Sequence, residues 1–231
     1  MSSVERWDLS LQSAISGAFP GATFSGTSTL TPGYLATIND LIIGVATSDT
    51  SATAPLSSAE QAALVNFVKG GGNALLFTDN AIVTSTASNS FVSPFGLATA
   101  GTLFGVQATT IVNGTNPVVS GPFGVATGFG NLVPGWFSSL GTAQELVMLD
   151  ANGQPVVAVL MPGALGVGSG AVVFFGDSNF LIELQGDAND TILTLNSLAL
   201  RPPTIPEPSS IALFGSGILG LAGILRRKIN L

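Results

Sequence analysis

Apolar positions between residues 8 and 200 recur with two alternating periods, which predict helices and strands in turn. Leu11, Ile15 and Phe19 stand four apart within Asp8–Phe19, the spacing of one helix face, and Asp8 or Ser10 can cap that helix. Ala22–Leu30 is Thr-rich with partial alternation and reads as a strand. Asp40–Ala46 is a short, continuous, β-branched run, as expected of a strand buried on both faces. Ser57 and Glu60 then form a capping-box pair ahead of the stripe Ala63, Leu64, Phe67 and Val68, and Gly70-Gly71-Gly72 ends the helix. Asn73–Thr78 follows as a second buried strand. Strand, helix and strand make a βαβ unit, which fixes parallel pairing.

Residues 81–143 break the pattern. Gly, Pro, Ser and Thr are dense there, and the segment reads as irregular with short strands, one of them Thr109–Val112. Order returns with Gln144–Leu149 and Pro155–Met161, two apolar runs around Asp150-Ala151-Asn152-Gly153, the signature of a hairpin. Ala171–Phe175 is another buried strand, ending at Gly176-Asp177-Ser178. Asn189–Leu200 closes the body as an amphipathic helix with Ile192, Leu195, Leu198 and Ala199 facing inward.

The last thirty residues change character. Pro202–Pro208 is proline-rich, which favours an extended, accessible backbone. Ile211–Leu225 is uncharged and apolar, and Arg226, Arg227 and Lys228 follow it as a basic stop. An apolar span with basic residues after it obeys the positive-inside rule, so the body lies outside the membrane. The run is near the lower limit of the ~17–25 residues that cross a bilayer, which suits a temporary anchor. The chain therefore divides into a body (1–201), a linker (202–208) and a membrane segment with a basic tail (209–231).

Charge refines this division. Residues 1–203 hold twelve acidic and three basic side chains, whereas 204–231 hold one acidic and three basic. The body has no basic patch, which argues against nucleic-acid binding. Charged residues are 8% of the chain, against about 25% in ordinary soluble domains. There is no Cys and no His. That removes Ser-His-Asp triads, Cys-His pairs and imidazole or thiolate zinc sites.

Within the remaining chemistry, Asp79 and Asp177 stand out. Each follows a buried strand, so both belong at the carboxyl edge of the sheet, where open α/β sheets bind ligands. Asp49 falls at a similar place. Paired carboxylates there can hold a cation or act as acid and base; the alternative is that each caps a turn. Asp187, Asn189 and Asp190 form either a helix cap or a fragment of a calcium loop. Trp136 and Phe137 either stack on a sugar or anchor the core.

Two resemblances follow from these motifs. Pro206-Glu207-Pro208, an apolar Gly-containing span and Arg226-Arg227-Lys228, in that order at the C-terminus, resemble the PEP-CTERM sorting signal. The resemblance implies that Pro206, Glu207 and Pro208 are recognised by an exosortase. It also implies that residues 209–231 hold the chain in the membrane, and that the host makes exopolysaccharide. The Asp40–Ala46 strand, the Leu56–Gly72 helix and Gly170–Leu181 resemble the class I glutamine-amidotransferase-like, or flavodoxin-like, fold. That implies a three-layer α/β body with a mostly parallel sheet, followed by one C-terminal transmembrane helix.

The amidotransferase activity needs Cys and His, so it does not carry over. No catalytic, cofactor or metal residue is assigned. The expected protein is an exported, non-enzymatic surface or matrix protein. The alternatives are a surface hydrolase using Asp79 and Asp177, or a permanently anchored protein. Such a fold opens with a strand, and an exported chain needs a signal peptide. Neither is visible before the first helix, so both are expected upstream of Met1.

Overall fold

The computed structural model describes residues 3–44, 54–178 and 187–201. Its centre is the βαβ unit. Strands β1 (Asp40–Gly44) and β2 (Asn73–Phe77) pair in parallel, with Asp40 beside Asn73 and Gly44 beside Phe77. Between them, α3 (Ser58–Lys69) begins at a complete capping box. The Ser57 hydroxyl accepts from the Glu60 N–H, and the Glu60 carboxylate accepts from the Ser57 N–H. The helix exit needs glycine. A Cβ on Gly72 would sit 2.3 Å from the Phe67 ring, and Gly71 has φ +101°.

β10 (Val172–Phe175) joins β2 in parallel. Beyond it, β9 (Gln154–Leu160), β8 (Gln144–Leu149) and β4 (Thr109–Ile111) are all antiparallel to their neighbours. The six-stranded order is β1-β2-β10-β9-β8-β4. Two small ribbons lie outside this sheet: β3 (Ala98–Ala100) with β7 (Trp136–Ser139), and β5 (Ser120–Gly121) with β6 (Gly124–Val125).

The expected three-layer, mostly parallel sheet is therefore wrong. The sheet is mixed, because the β8–β9 hairpin is built into it. Gly153, at φ +64°, donates to the Leu149 carbonyl at 2.8 Å and closes a turn too tight for anything but antiparallel pairing. The expected C-terminal transmembrane helix falls on residues 209–231, outside the described residues. Among the described residues, no helix is long and apolar enough to cross a membrane. Residues 202–231, with the linker, the apolar run and the basic stop, lie outside the described residues, as do Val45, Ala46 and Asp49.

Side chains of the parallel strands alternate between two cores, which explains their unbroken apolar runs. Leu75, Phe77, Val173 and Phe175 face one core, with Leu11 and Ile15 of α1 (Ser3–Ala18) and Leu193 and Leu198 of α5 (Ala188–Ala199). Phe77 and Phe175 stack there with ring centroids 4.5 Å apart. Ala74, Leu76, Val172 and Phe174 face the other core. Leu35 of the short α2 (Pro32–Leu35), Leu64 and Val68 of α3, and Phe91 and Val92 of α4 (Ala81–Val92) complete it.

Two local expectations fail for identifiable reasons. α4 occupies a stretch read as irregular. Its Ser and Thr content imitates a loop, but Asn80 caps it, accepting from the Ile82 N–H at 3.1 Å, and Ala87 and Phe91 bury one face. Ala22–Leu30 is not a strand. Residues 21–29 are exposed with no partner strand, and only Leu30 is buried.

Candidate functional site

Asp79 and Asp177 sit two residues beyond Phe77 and Phe175, the last paired residues of adjacent parallel strands. They therefore share the carboxyl edge, as the sequence pattern requires. Both are buried, at 1% and 0% exposure. Asp79 accepts at one oxygen from the Asn80 N–H (2.6 Å) and side-chain amide (2.7 Å), and at the other from the Ser178 hydroxyl. Asp177 accepts from the Leu132 N–H at 2.8 Å.

Residues 127–135 roof this edge. Gly135 donates to the Gly176 carbonyl at 2.9 Å, and Asn80 donates its side-chain amide to the Val133 carbonyl at 3.2 Å. A Cβ on Gly135 would meet the Asp79 carbonyl at 2.9 Å, so only glycine lets the roof lie this close. Asp187 caps α5, accepting from the Asn189 N–H. Its neighbours reach the roof: Asp190 accepts from the Gly130 N–H at 2.7 Å and Asn189 from the Thr127 N–H at 2.7 Å. The calcium-loop fragment is thus a helix start whose side chains hold backbone. Among the described residues, no three acidic or other ligating side chains group to hold a metal ion.

Burial pushes the Asp79 carboxyl above its ordinary value near 3.8, against the opposing pull of the Ser178 and Asn80 hydrogen bonds. The folded chain then holds that proton to higher pH than the unfolded chain does. Stability accordingly falls as pH rises from the ordinary carboxylate value through the raised one, and is flat above it. Asp79→Asn removes the charge and keeps the shape. Its unfolding free energy, measured by urea titration from acid to neutral pH, loses that fall; an identical slope in both proteins would show that Asp79 titrates normally.

Trp136 and Phe137 do not form a sugar platform. Phe137 is buried in the core beside Phe174, with ring centroids 6.3 Å apart. The Trp136 ring lies flush on Gly101, where a Cβ would meet it at 1.7 Å.

A second feature is a groove of about 970 Å³ between β1 and the segment 21–30, which is exposed except at Leu30. Two contacts hold that segment as the outer wall. The Tyr34 hydroxyl donates to the Ser25 carbonyl at 3.1 Å, and Glu60 accepts from the Leu30 N–H at 3.2 Å. Arg201 also lines the groove and pairs with Asp40, Nη1 to Oδ1 at 2.9 Å, at the first residue of β1. Asn73 braces the same place from below. Its amide donates to the Leu200 carbonyl and to Asp40, while its oxygen accepts from the Ala171 N–H at 2.9 Å. The sequence pattern does not reveal the groove. Its one cue is an Asn opening the otherwise apolar run Asn73-Ala74-Leu75-Leu76-Phe77.

Similarity to known proteins divides along the same line as the chain. The body resembles three solved structures. The N-terminal domain of mmIFT52 superposes with a TM-score of 0.61 at 13% identity, over 84% of this chain and 90% of that one. The cytoplasmic protein STM1381 from Salmonella typhimurium LT2 gives 0.59 at 12% identity, over 84% and 87%. The cytoplasmic protein STM3548 from Salmonella typhimurium gives 0.54 at 13%, over 85% and 87%. At such identities the likeness concerns the fold alone, and it lends no support to an amidotransferase-like body. No curated protein matches the chain. Residues 204–228 match the PEP-CTERM protein-sorting motif. That span takes in Pro206-Glu207-Pro208, the apolar run and Arg226-Arg227-Lys228 in order. The chain thus carries a PEP-CTERM sorting motif at its C-terminal end, the signal of exosortase-dependent sorting to the cell envelope.

Proposed function

We propose that this is an exported surface or matrix protein whose body, residues 1–201, is a non-catalytic binding or structural module. Its tail is an exosortase substrate. Residues 209–231 hold the chain at the membrane while Pro206, Glu207 and Pro208 are read, and the tail is then removed. The observation that carries this reading is the match over 204–228, which contains recognition tripeptide, apolar run and basic stop in working order. Exopolysaccharide is the material such a protein would meet at the surface.

Two features support a non-catalytic body. The chain has no Cys and no His. Asp79 and Asp177, the best remaining pair, are buried and accept hydrogen bonds beneath the roof segment. That arrangement suits carboxylates that hold a fold together better than carboxylates that meet a substrate.

The test is a chain with Pro206, Glu207 and Pro208 all changed to Ala, produced in a host with an exosortase. The wild-type chain is expected to shorten and the variant to stay full length. Equal processing of both would overturn the assignment of the tripeptide.

A further inference from the structure

The six-stranded sheet ends at β1, so one side of that strand has no partner strand. The Asn39 carbonyl accepts from the Asn73 N–H at 3.0 Å, so Asn39 faces β2. By the alternation of a parallel ladder, Leu41 and Ile43 also bond toward β2. Ile42 and Gly44 turn their N–H and C=O groups the other way, into the groove. Across the groove stands a second stretch of backbone, segment 21–30. Among the described residues, no backbone hydrogen bond joins it to β1. A bare strand edge with a gap beside it is a seat for one more extended chain.

The groove also selects the kind of chain. Its two sides belong to different cores. Leu11, Ile15 and Phe19 line it on the α1 face of the sheet, and Leu30, Ile38 and Leu56 on the α3 face. Successive side chains of an added strand point to these two faces in turn. Both faces offer apolar surface, so the strand that fits is apolar throughout, as β2 is, rather than alternating. Charge agrees. The charged side chains lining the groove are Asp40, Glu60 and Arg201, and all are engaged. Asp40 pairs with Arg201, and Glu60 accepts from the Ser57 and Leu30 N–H groups. None is left to offset a charge buried in an occupant.

Size and shape narrow the occupant further. The groove's volume of about 970 Å³ matches a ligand cleft, ~300–1,000 Å³. At ~3.3 Å per residue, β1 offers about 16 Å of edge, enough for about five residues. A second copy of the body does not fit by this edge, because segment 21–30 stands in front of β1 and leaves room for a single chain. A sugar polymer has no repeat of N–H and C=O groups to meet Ile42 and Gly44.

We propose that this groove is a peptide-binding site, which takes one extended, uncharged, β-branched segment of a partner protein as an added strand on β1. This rests on the reading of the body as a binding module and gives that module its class of ligand.

The experiment uses the purified full chain in detergent micelles and follows amide hydrogen exchange at β1. The probe is the capped peptide Lys-Thr-Val-Ile-Val-Thr-Lys, whose end lysines lie beyond the five-residue seat and keep it soluble. At saturation, the Ile42 and Gly44 amides are expected to exchange about tenfold more slowly, and those of Leu41 and Ile43 at their former rate. A control peptide with Pro-Pro in place of the central Val-Ile lacks a donor on each edge and should protect neither. In the protein, Ile42→Pro removes an outward donor and spares the bonds to β2. It is expected to weaken peptide binding at least tenfold while Leu41 and Ile43 stay protected. The two peptides decide the matter in the parent protein alone.

No protection, or equal protection by both peptides, overturns the proposal. So does protection of Ile42 and Gly44 before any peptide is added, which would mean that segment 21–30 or a second copy covers the edge. Equal protection by cellohexaose would also overturn it, but would keep the body a binding module; protection by no probe would leave the body a structural one. None of these measurements needs an exosortase, so the sorting signal stands or falls separately.

Discussion

Gly170→Ala is expected to destabilise the body by about 4 kcal/mol, a roughly thousandfold shift toward the unfolded chain. The reason is a backbone collision. A Cβ on Gly170 would lie 2.1 Å from the Gly72 carbonyl oxygen and 2.6 Å from its carbon. Neither atom can swing aside, since each belongs to the turn that joins α3 to β2. The Gly170 N–H also donates to the Val68 carbonyl at 2.8 Å, which fixes the approach from the other side. Relief would require the start of β10 to move away from β2. Urea denaturation measures the effect as a lower midpoint at constant slope. Gly26→Ala is the control. Nothing lies within 4 Å of a Cβ there, so its midpoint should stay within about 0.5 kcal/mol of the parent. Equal midpoints for the two variants would mean that the β2–β10 junction is looser than described.

Asn73→Asp is expected to cost about 3 kcal/mol at neutral pH, by removing a donor and adding a buried charge. The Asn73 amide donates to the Leu200 carbonyl and to Asp40, and both partners offer only acceptors. A carboxylate oxygen in that place faces a carbonyl and a second carboxylate. The accepting side survives, because the Ala171 N–H still finds an oxygen. The introduced carboxyl would be held above the usual carboxylate range by burial and by Asp40. The loss should therefore shrink as the solution is acidified and the group takes up a proton. Asn73→Ala distinguishes charge from hydrogen bonding. It also destabilises, since it leaves the Ala171 N–H without its acceptor, but its loss does not recover in acid. Recovery in both variants, or in neither, would contradict this account of the junction.

The parts of the fold that announce themselves in the sequence are those where local signals and burial agree. Ser57 with Glu60 marks the start of α3, and the glycine triplet marks its end. The apolar runs around Leu41, Leu75 and Val173 are unbroken because they face two cores. Asn152-Gly153 announces its hairpin. The sequence does not say which strand that hairpin joins. Its side chains alternate the same way whether it stands apart or extends β10, so pairing sense across the sheet stays hidden. α4 escapes a local reading because its interior Ser and Thr are neutral to helix, and its stability comes from burying Ala87 and Phe91.

The same limit applies to the sites. Asp79 and Asp177 are correctly placed at one edge by strand periodicity alone. Their burial depends on residues 127–135, which lie far off in sequence and carry no periodic signal. Arg201 and Asp40 are 161 residues apart, so no local pattern could join them at the groove. The sorting motif is the opposite case. Its three parts are contiguous, and their order alone carries the information.

The most direct measurement of the central claim is the intact mass of the protein recovered from the envelope of cells that contain an exosortase. Temporary anchoring predicts a mass that lacks the apolar run and Arg226-Arg227-Lys228. A mass that still includes residues 209–231 would contradict it.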